Sequence, residues 1–134
     1  MGLDCYAKGL PNSECFHGSY SRYHQFIYQL VKTAYGEWFA ETWHAGAWDN
    51  RTIAAWNRIC NKDLDILIFH SDCDGKFTPP ECRKIYKALE PFTIDHESYA
   101  SDYPERRPFK VNTLALFKGM FLHCWKRRVN LYYG

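Results

Sequence analysis

One stretch of the chain reads His70-Ser71-Asp72-Cys73-Asp74-Gly75-Lys76-Phe77-Thr78-Pro79-Pro80-Glu81 and joins a tight turn to the start of a helix. Asp72, Asp74 and Gly75 favour the turn, because short acidic side chains bond nearby backbone amides and glycine accepts a positive φ angle. Thr78 and Glu81 have the spacing of a capping box, with prolines at the first helical positions between them. The stretch therefore predicts a helix over 79–89, and turn and cap chemistry can explain it without a ligand.

Apolar residues recur at helical spacing on both sides of this stretch. Ser19 or Ser21 can cap a helix that Gly36 ends, and further helices are expected over 37–44, 50–60 and 111–125. Residues 63–69 alternate poorly for a strand, so we favour a helix there as well.

Short strands are predicted at the two ends of the sequence, over 3–8 and 130–133, and we expect them to pair. Residues 9–18 are predicted as a loop and 92–108 as a polar, turn-rich connection. The expected fold class is mainly α (α+β). It consists of a compact helical domain over 1–134 with a small strand pair formed by the N- and C-terminal segments.

Length and composition predict one folded, soluble domain of 134 residues, of which 46% are hydrophobic. No apolar run approaches the roughly 18 residues of a membrane span. The opening Met1-Gly2-Leu3-Asp4 lacks the regions of a secretory signal, and the six cysteines form no C-x-x-C pair. We therefore expect reduced thiols, no membrane association and a cytoplasmic protein.

The stretch over 70–81 resembles the calcium-binding loop of an EF-hand. Such a loop has oxygen ligands at positions one, three and five, glycine at six and a bidentate glutamate at twelve. Asp72, Asp74 and Glu81 match the third, fifth and twelfth positions, and Thr78 occupies the ninth. The resemblance implies a calcium site formed by these four residues. His70 stands at the first position, and imidazole is a poor ligand for this cation.

The same turn is also similar to the nucleophile motif of haloacid-dehalogenase-type phosphatases, in which a buried strand delivers an Asp-x-Asp-Gly pair. The resemblance implies that Asp72 attacks phosphorus and that Asp74 protonates the leaving group. His70 and Ser71 separate the apolar run over 67–69 from Asp72. The later sequence is mostly helical, whereas that fold needs several further strands.

A second candidate site precedes the first predicted helix, over 16–23. Backbone N–H groups at a helix amino end, serine hydroxyls, an arginine and flanking aromatic rings can hold a phosphate with an attached base. Ordinary capping by Ser19 explains the same residues without a ligand. Two further arginines lie between prolines on a connection, where their guanidinium groups are expected to be accessible. The residues that we name for a nucleotide-like anionic ligand are His17, Ser19, Tyr20, Arg22, Arg106 and Arg107.

Charge and aromatic content limit the class of partner. The net charge of +2, from 17 basic and 15 acidic side chains, is too small for a general DNA-binding protein. Lys126, Arg127 and Arg128 are explained by the negative carboxyl end of a helix. Aromatic residues make up 18% of the chain, and exposed tyrosine and tryptophan are typical of interfaces. We therefore expect a homo-oligomer.

Three segments together are similar to a group of small phage and bacterial proteins: the Met1-Gly2-Leu3-Asp4 opening, the loop over 16–23, and the turn over 70–75 with Glu81-Cys82. The resemblance covers most of the chain. It implies a counter-defence protein of the host cytoplasm that inhibits a host protein or sequesters a nucleotide signal. Binding is favoured over catalysis, because no nucleophile has a plausible base beside it and no glycine-rich phosphate loop is present. Calcium binding and metal-dependent phosphatase activity are the alternatives.

Overall fold

Helices form most of the fold, and a small antiparallel sheet brings the two ends of the chain together. The computed structural model describes residues 2–94, 97–99, 103–106 and 110–134. Its helices are α1 Tyr20–Tyr35, α2 Glu37–Ala45, α3 Asn50–Ile59, α4 Lys62–Ile68, α5 Pro79–Leu89 and α6 Thr113–Arg127. The predicted fold class, a mainly helical α+β domain, is confirmed.

The main sheet has four antiparallel strands in the order β2-β1-β6-β3. They are β1 Gly2–Tyr6, β2 His17–Ser19, β3 Lys76–Phe77 and β6 Leu131–Tyr133. Cys5 lies opposite Tyr133, so the predicted pairing of the end segments is confirmed. A separate pair joins β4 Glu97–Tyr99 to β5 Lys110–Asn112.

Four of these strands correct the sequence prediction. β2 falls at the end of the expected loop, β3 inside the expected turn, and β4 inside the expected turn-rich connection. β5 occupies the first two residues of the helix expected over 111–125. Each has only two or three residues, which is too short for the alternating pattern that identifies a strand. Their pairing comes from strands that are distant in the chain or across a long connection, so local propensity carries little information about them.

The core lies between the sheet and the helices, and α6 contributes one complete face to it. The buried residues of this helix are Thr113, Leu114, Phe117, Met120, Phe121 and Cys124. The Phe117 ring stacks on Phe26 of α1, with centroids 4.7 Å apart.

All six cysteines are free thiols. Among the described residues, no helix combines the length and apolarity needed to cross a bilayer.

Helix ends follow the predicted chemistry in most places. Ser19 accepts a hydrogen bond from the Arg22 backbone N–H at the start of α1, and Gly36 separates α1 from α2 with a φ of 109°.

The prediction of which α3 residues face the core is partly wrong. Trp56 is buried, whereas Ile53 and Ile59 are 45% and 48% exposed.

Candidate functional site

The first predicted site, over 16–23, is an ordered corner of the sheet and α1. His17 lies in β2 opposite Asp4 of β1, and its Nδ1 is 2.8 Å from the Asp4 carboxylate. Arg22 donates from Nη1 to the His17 carbonyl and lies 5.0 Å from the Phe16 ring centroid. Tyr20 packs half-buried against the core. Local structure therefore uses His17, Ser19 and Arg22 to fix the start of α1.

The two arginines of the predicted accessible connection are separated from this corner in the chain. Arg106 ends the short 3-10 turn Pro104–Arg106, where it is exposed and lies 5.5 Å from the Tyr103 ring. Arg107 lies outside the described residues. The expectation that both arginines bind the same ligand as His17 stays a prediction.

The His70 imidazole lies inside the turn over 70–77. Its Nδ1 is 2.9 Å from the Ser71 carbonyl, its Nε2 is 3.3 Å from the Lys76 carbonyl, and its ring packs on Phe77. Gly75 has a φ of 96°, and a Cβ there would lie 3.1 Å from the His70 ring. Lys76 is the seventh residue of the stretch over 70–81. The His70 ring thus contacts the backbone carbonyl that would be a calcium ligand in an EF-hand loop.

The four predicted calcium ligands divide into two pairs. Asp72 and Asp74 are exposed on the turn. Glu81 accepts hydrogen bonds from the Thr78 backbone N–H and hydroxyl, each 2.9 Å long, in the capping box at the start of α5. Within the part of the chain that is described, no group of three or more His, Cys, Asp or Glu side chains is placed to hold a metal ion. Residues 62–68 are helical, where the phosphatase motif requires a strand.

Both stretches singled out in the sequence meet at a cleft of about 300 Å³ between α1, α2 and the turn after α4. α1 contributes Tyr23, His24 and Ile27, and α2 contributes Trp43. The remaining wall is the segment Ile68, Phe69, His70, Ser71 and Asp72. Among the described residues that we predicted for a ligand or metal, Asp72 is the one that lines this cleft.

A histidine pair stands at the edge of the cleft. The His24 Nε2 is 2.8 Å from the His44 Nδ1, and the His24 ring stacks on Trp43 with centroids 4.6 Å apart. Burial, followed by the nearby His44, lowers the pKa of His24, and the Asp72 carboxylate acts in the opposite direction. The lowered pKa keeps the His24 imidazole neutral at pH 7, and a neutral imidazole has one N–H donor and one acceptor nitrogen.

The polar cluster continues beyond the histidine pair. Tyr28 donates a hydrogen bond to Glu41, which raises the pKa of the tyrosine to about 12. The Tyr28 ring lies edge-on to His44, with centroids 6.0 Å apart. On the other wall of the cleft, the buried hydroxyl of Tyr23 is 3.0 Å from that of Tyr133. This contact links the cleft to strand β6 of the sheet.

An aromatic groove of about 460 Å³ adjoins Phe69 on its other side. Trp48, Trp56 and Phe69 contact one another with centroids 5.2–5.9 Å apart. Asp65 accepts from the Trp56 Nε1 at 2.9 Å and from the Tyr35 hydroxyl at 2.8 Å. Both carboxylate oxygens of Asp65 therefore serve to position these rings.

Sequence reasoning missed His24, Trp43 and His44, which line or border the cleft. The available signal was their position on the two helices that flank Gly36, since a hairpin at that glycine brings the helices side by side. Comparison with known protein families, curated proteins and solved structures finds no match for the chain.

Proposed function

We propose that this protein binds a small nucleoside- or nucleotide-like ligand in the cleft lined by Tyr23, His24, Trp43 and Asp72. One observation supports the proposal: the side chains of Trp43, His24 and Asp72, an indole, an imidazole and a carboxylate, line a single cleft of about 300 Å³. Small-ligand sites typically combine apolar walls with a few polar groups that fix orientation. Tyr23, Ile27 and Ile68 supply the buried walls here.

The heterocycle and sugar of such a ligand suit this lining. Aromatic side chains stack on bases irrespective of their identity, and Trp43 is the large ring available. The Asp72 carboxylate can accept hydrogen bonds from ribose hydroxyls or from an exocyclic amino group, as acidic residues do in dinucleotide sites. A neutral His24 can pair with a ring nitrogen, since neutral imidazole has one donor and one acceptor.

A phosphate group is better placed at the mouth of the cleft than inside it. The carboxylate of Asp72 repels an anion, and neutral His24 offers no compensating charge. We therefore assign the base and the sugar to the interior. With the resemblance to small phage and bacterial proteins, this arrangement favours sequestration of a nucleotide signal, and inhibition of a host protein is the second outcome to examine.

Native mass spectrometry of the purified protein, followed by calorimetric titration with nucleosides and linear and cyclic nucleotides, tests the proposal. We expect a bound mass or a saturable titration. Asp72→Asn should weaken binding about tenfold, because it removes the charge that strengthens the hydrogen bonds of the carboxylate. His24→Gln should have a similar effect, because it removes the imidazole that pairs with the ligand. Asp74→Asn and His123→Gln are matched controls outside the cleft and should leave affinity unchanged.

Two results would remove the proposal: failure of every nucleoside and nucleotide to bind, or equal losses in cleft and control variants. Chromatography of the titrated ligand separates binding from catalysis. A dephosphorylated product that requires magnesium and disappears in Asp72→Asn would identify a phosphatase instead. A calcium mass lost on chelation would identify the 70–81 loop as a cation site.

A further inference from the structure

A basic surface surrounds Trp125 where α5 packs against α6. The Arg83 guanidinium lies 5.9 Å from the Trp125 ring centroid, the Lys87 Nζ 5.6 Å and the Lys126 Nζ 4.0 Å. Tyr86 contacts the same indole, with centroids 5.9 Å apart. We call these five residues the Trp125 patch. Arg127 and Arg128 continue it along the chain, and all five cations are exposed.

Within the described part of the chain, no carboxylate forms an ion pair with this surface. The ion pair found among the described residues joins Asp4 to His17, and none involves Arg83, Lys87, Lys126, Arg127 or Arg128. The three cations around Trp125 exceed the net charge of +2 for the whole chain, so the remaining residues sum to a net charge of −1. The small overall charge thus conceals a local concentration of positive charge that only the packing of α5 on α6 creates.

The end of α6 adds an independent observation. Arg128 closes the helix in the left-handed region, with φ 56° and ψ 47°, and is the described non-glycine residue with a positive φ. Glycine is the usual residue at this position, because it has no Cβ to clash. Ordinary helix-end electrostatics would be served by Lys126 and Arg127 alone. The chain therefore places a third cation where the backbone favours glycine.

From these observations we infer that the Trp125 patch, with Arg127 and Arg128, binds single-stranded nucleic acid. Unpaired cations neutralise phosphates along the strand, and an aromatic ring among them stacks on a base, which is the arrangement that strand-binding surfaces share. The flexible Lys126 side chain lies over the indole of Trp125. It can swing away to contact a phosphate, which frees the indole face to stack on a base. The patch shares no residue with the cleft, and the inference does not depend on the proposed ligand.

Fluorescence anisotropy of a labelled single-stranded RNA or DNA oligonucleotide, at about 50 mM and about 200 mM salt, tests this inference. The patch variant is Arg83→Gln/Lys87→Gln/Lys126→Gln, and its matched control is Lys32→Gln/Arg51→Gln/Lys62→Gln on exposed positions elsewhere. Both variants lower the net charge equally. We expect the patch variant to lose at least tenfold in affinity and about 2 units of the logarithmic salt slope, and the control to lose little.

Substitution of the indole separates stacking from charge. Trp125→Phe keeps an aromatic ring and should retain most of the affinity, whereas Trp125→Leu should weaken binding severalfold. Circular dichroism of each variant checks that it is folded. The inference is overturned if no oligonucleotide binds, if patch and control variants lose affinity equally, or if the patch binds anionic vesicles but no oligonucleotide.

Discussion

Single side chains hold the turn that borders the cleft. His70 fills its interior, Gly75 supplies the left-handed backbone, and Glu81 closes the cap that begins α5. The sequence predicted the turn and the cap, because both depend on local hydrogen bonds between residues a few positions apart. It could not predict where His70 points, because that depends on the distant ring of Tyr133, 5.1 Å from the imidazole.

The cap at Glu81 predicts a graded loss of stability. Glu81→Ala removes both hydrogen bonds to Thr78 and should lower the free energy of unfolding by about 1 kcal/mol. Glu81→Gln keeps the acceptor oxygen and should cost much less. Urea unfolding with and without a calcium chelator measures both effects. A chelator that lowers the midpoint of the unsubstituted protein but not that of Glu81→Gln would show that the carboxylate holds calcium.

His24 predicts a pH dependence of stability. Its pKa is lowered below 6.5 in the folded protein, first by burial, so the unfolded chain binds the proton more tightly. The free energy of unfolding should therefore fall as the pH drops below about 6.5, and level off below the lowered pKa. Urea titrations above and below this pH should show a weaker dependence in His24→Gln than in His123→Gln. Equal dependence in the two variants would contradict the assignment.

The α1–α2 hairpin is the element that creates the cleft. Residues on α1 and α2 that are far apart in sequence, such as His24 and His44, meet because Gly36 reverses the chain between the helices. Helical spacing predicted both helices, and Gly36 was expected to end the first of them. It left open how the two helices rotate about their axes, and that rotation decides which side chains meet.

The backbone conformation of Gly36 should make substitution by alanine costly, and the same substitution at Gly119 serves as the comparison. The Gly36 φ of 109° and ψ of 164° lie in a region that side chains rarely adopt, although a Cβ there would meet nothing within 4 Å. Gly36→Ala should therefore destabilise the protein by about 1–3 kcal/mol and weaken ligand binding at the cleft. Gly119→Ala, inside α6 with equally open space, should stabilise it by about 0.5–1 kcal/mol. Urea unfolding measures both, and similar values for the two variants would contradict backbone strain at Gly36.

At the scale of the whole molecule, β6 joins the parts of the fold. It pairs with β1 on one side and β3 on the other, and it follows α6 directly in the chain. The pairing with β1 was predictable, because both segments carry strand-forming residues at the ends of the sequence. The position of β6 between β1 and β3 was not predictable. β3 has only two residues, and the segment that contains them has the sequence of a turn.

Leu131 tests this central role. It is fully buried opposite Phe77, and Leu131→Ala should cost about 2–5 kcal/mol in the free energy of unfolding. Ile59→Ala removes a side chain that is 48% exposed and should cost far less. Fluorescence and circular dichroism should report the same midpoint for each variant. Separate midpoints in Leu131→Ala would indicate that the sheet and the helices unfold independently.

The position of β6 also orders events during translation. Strand β1 is made before the helices, yet its partner at Tyr133 is 128 residues away from Cys5, so the two meet only after the helices have been synthesised. Helices need only local contacts and can form earlier on the ribosome, whereas such a long loop closes slowly. Until residues 131–133 emerge, a nascent chain presents β1 and β3 with open edges, which are the surfaces that chaperones and aggregation compete for.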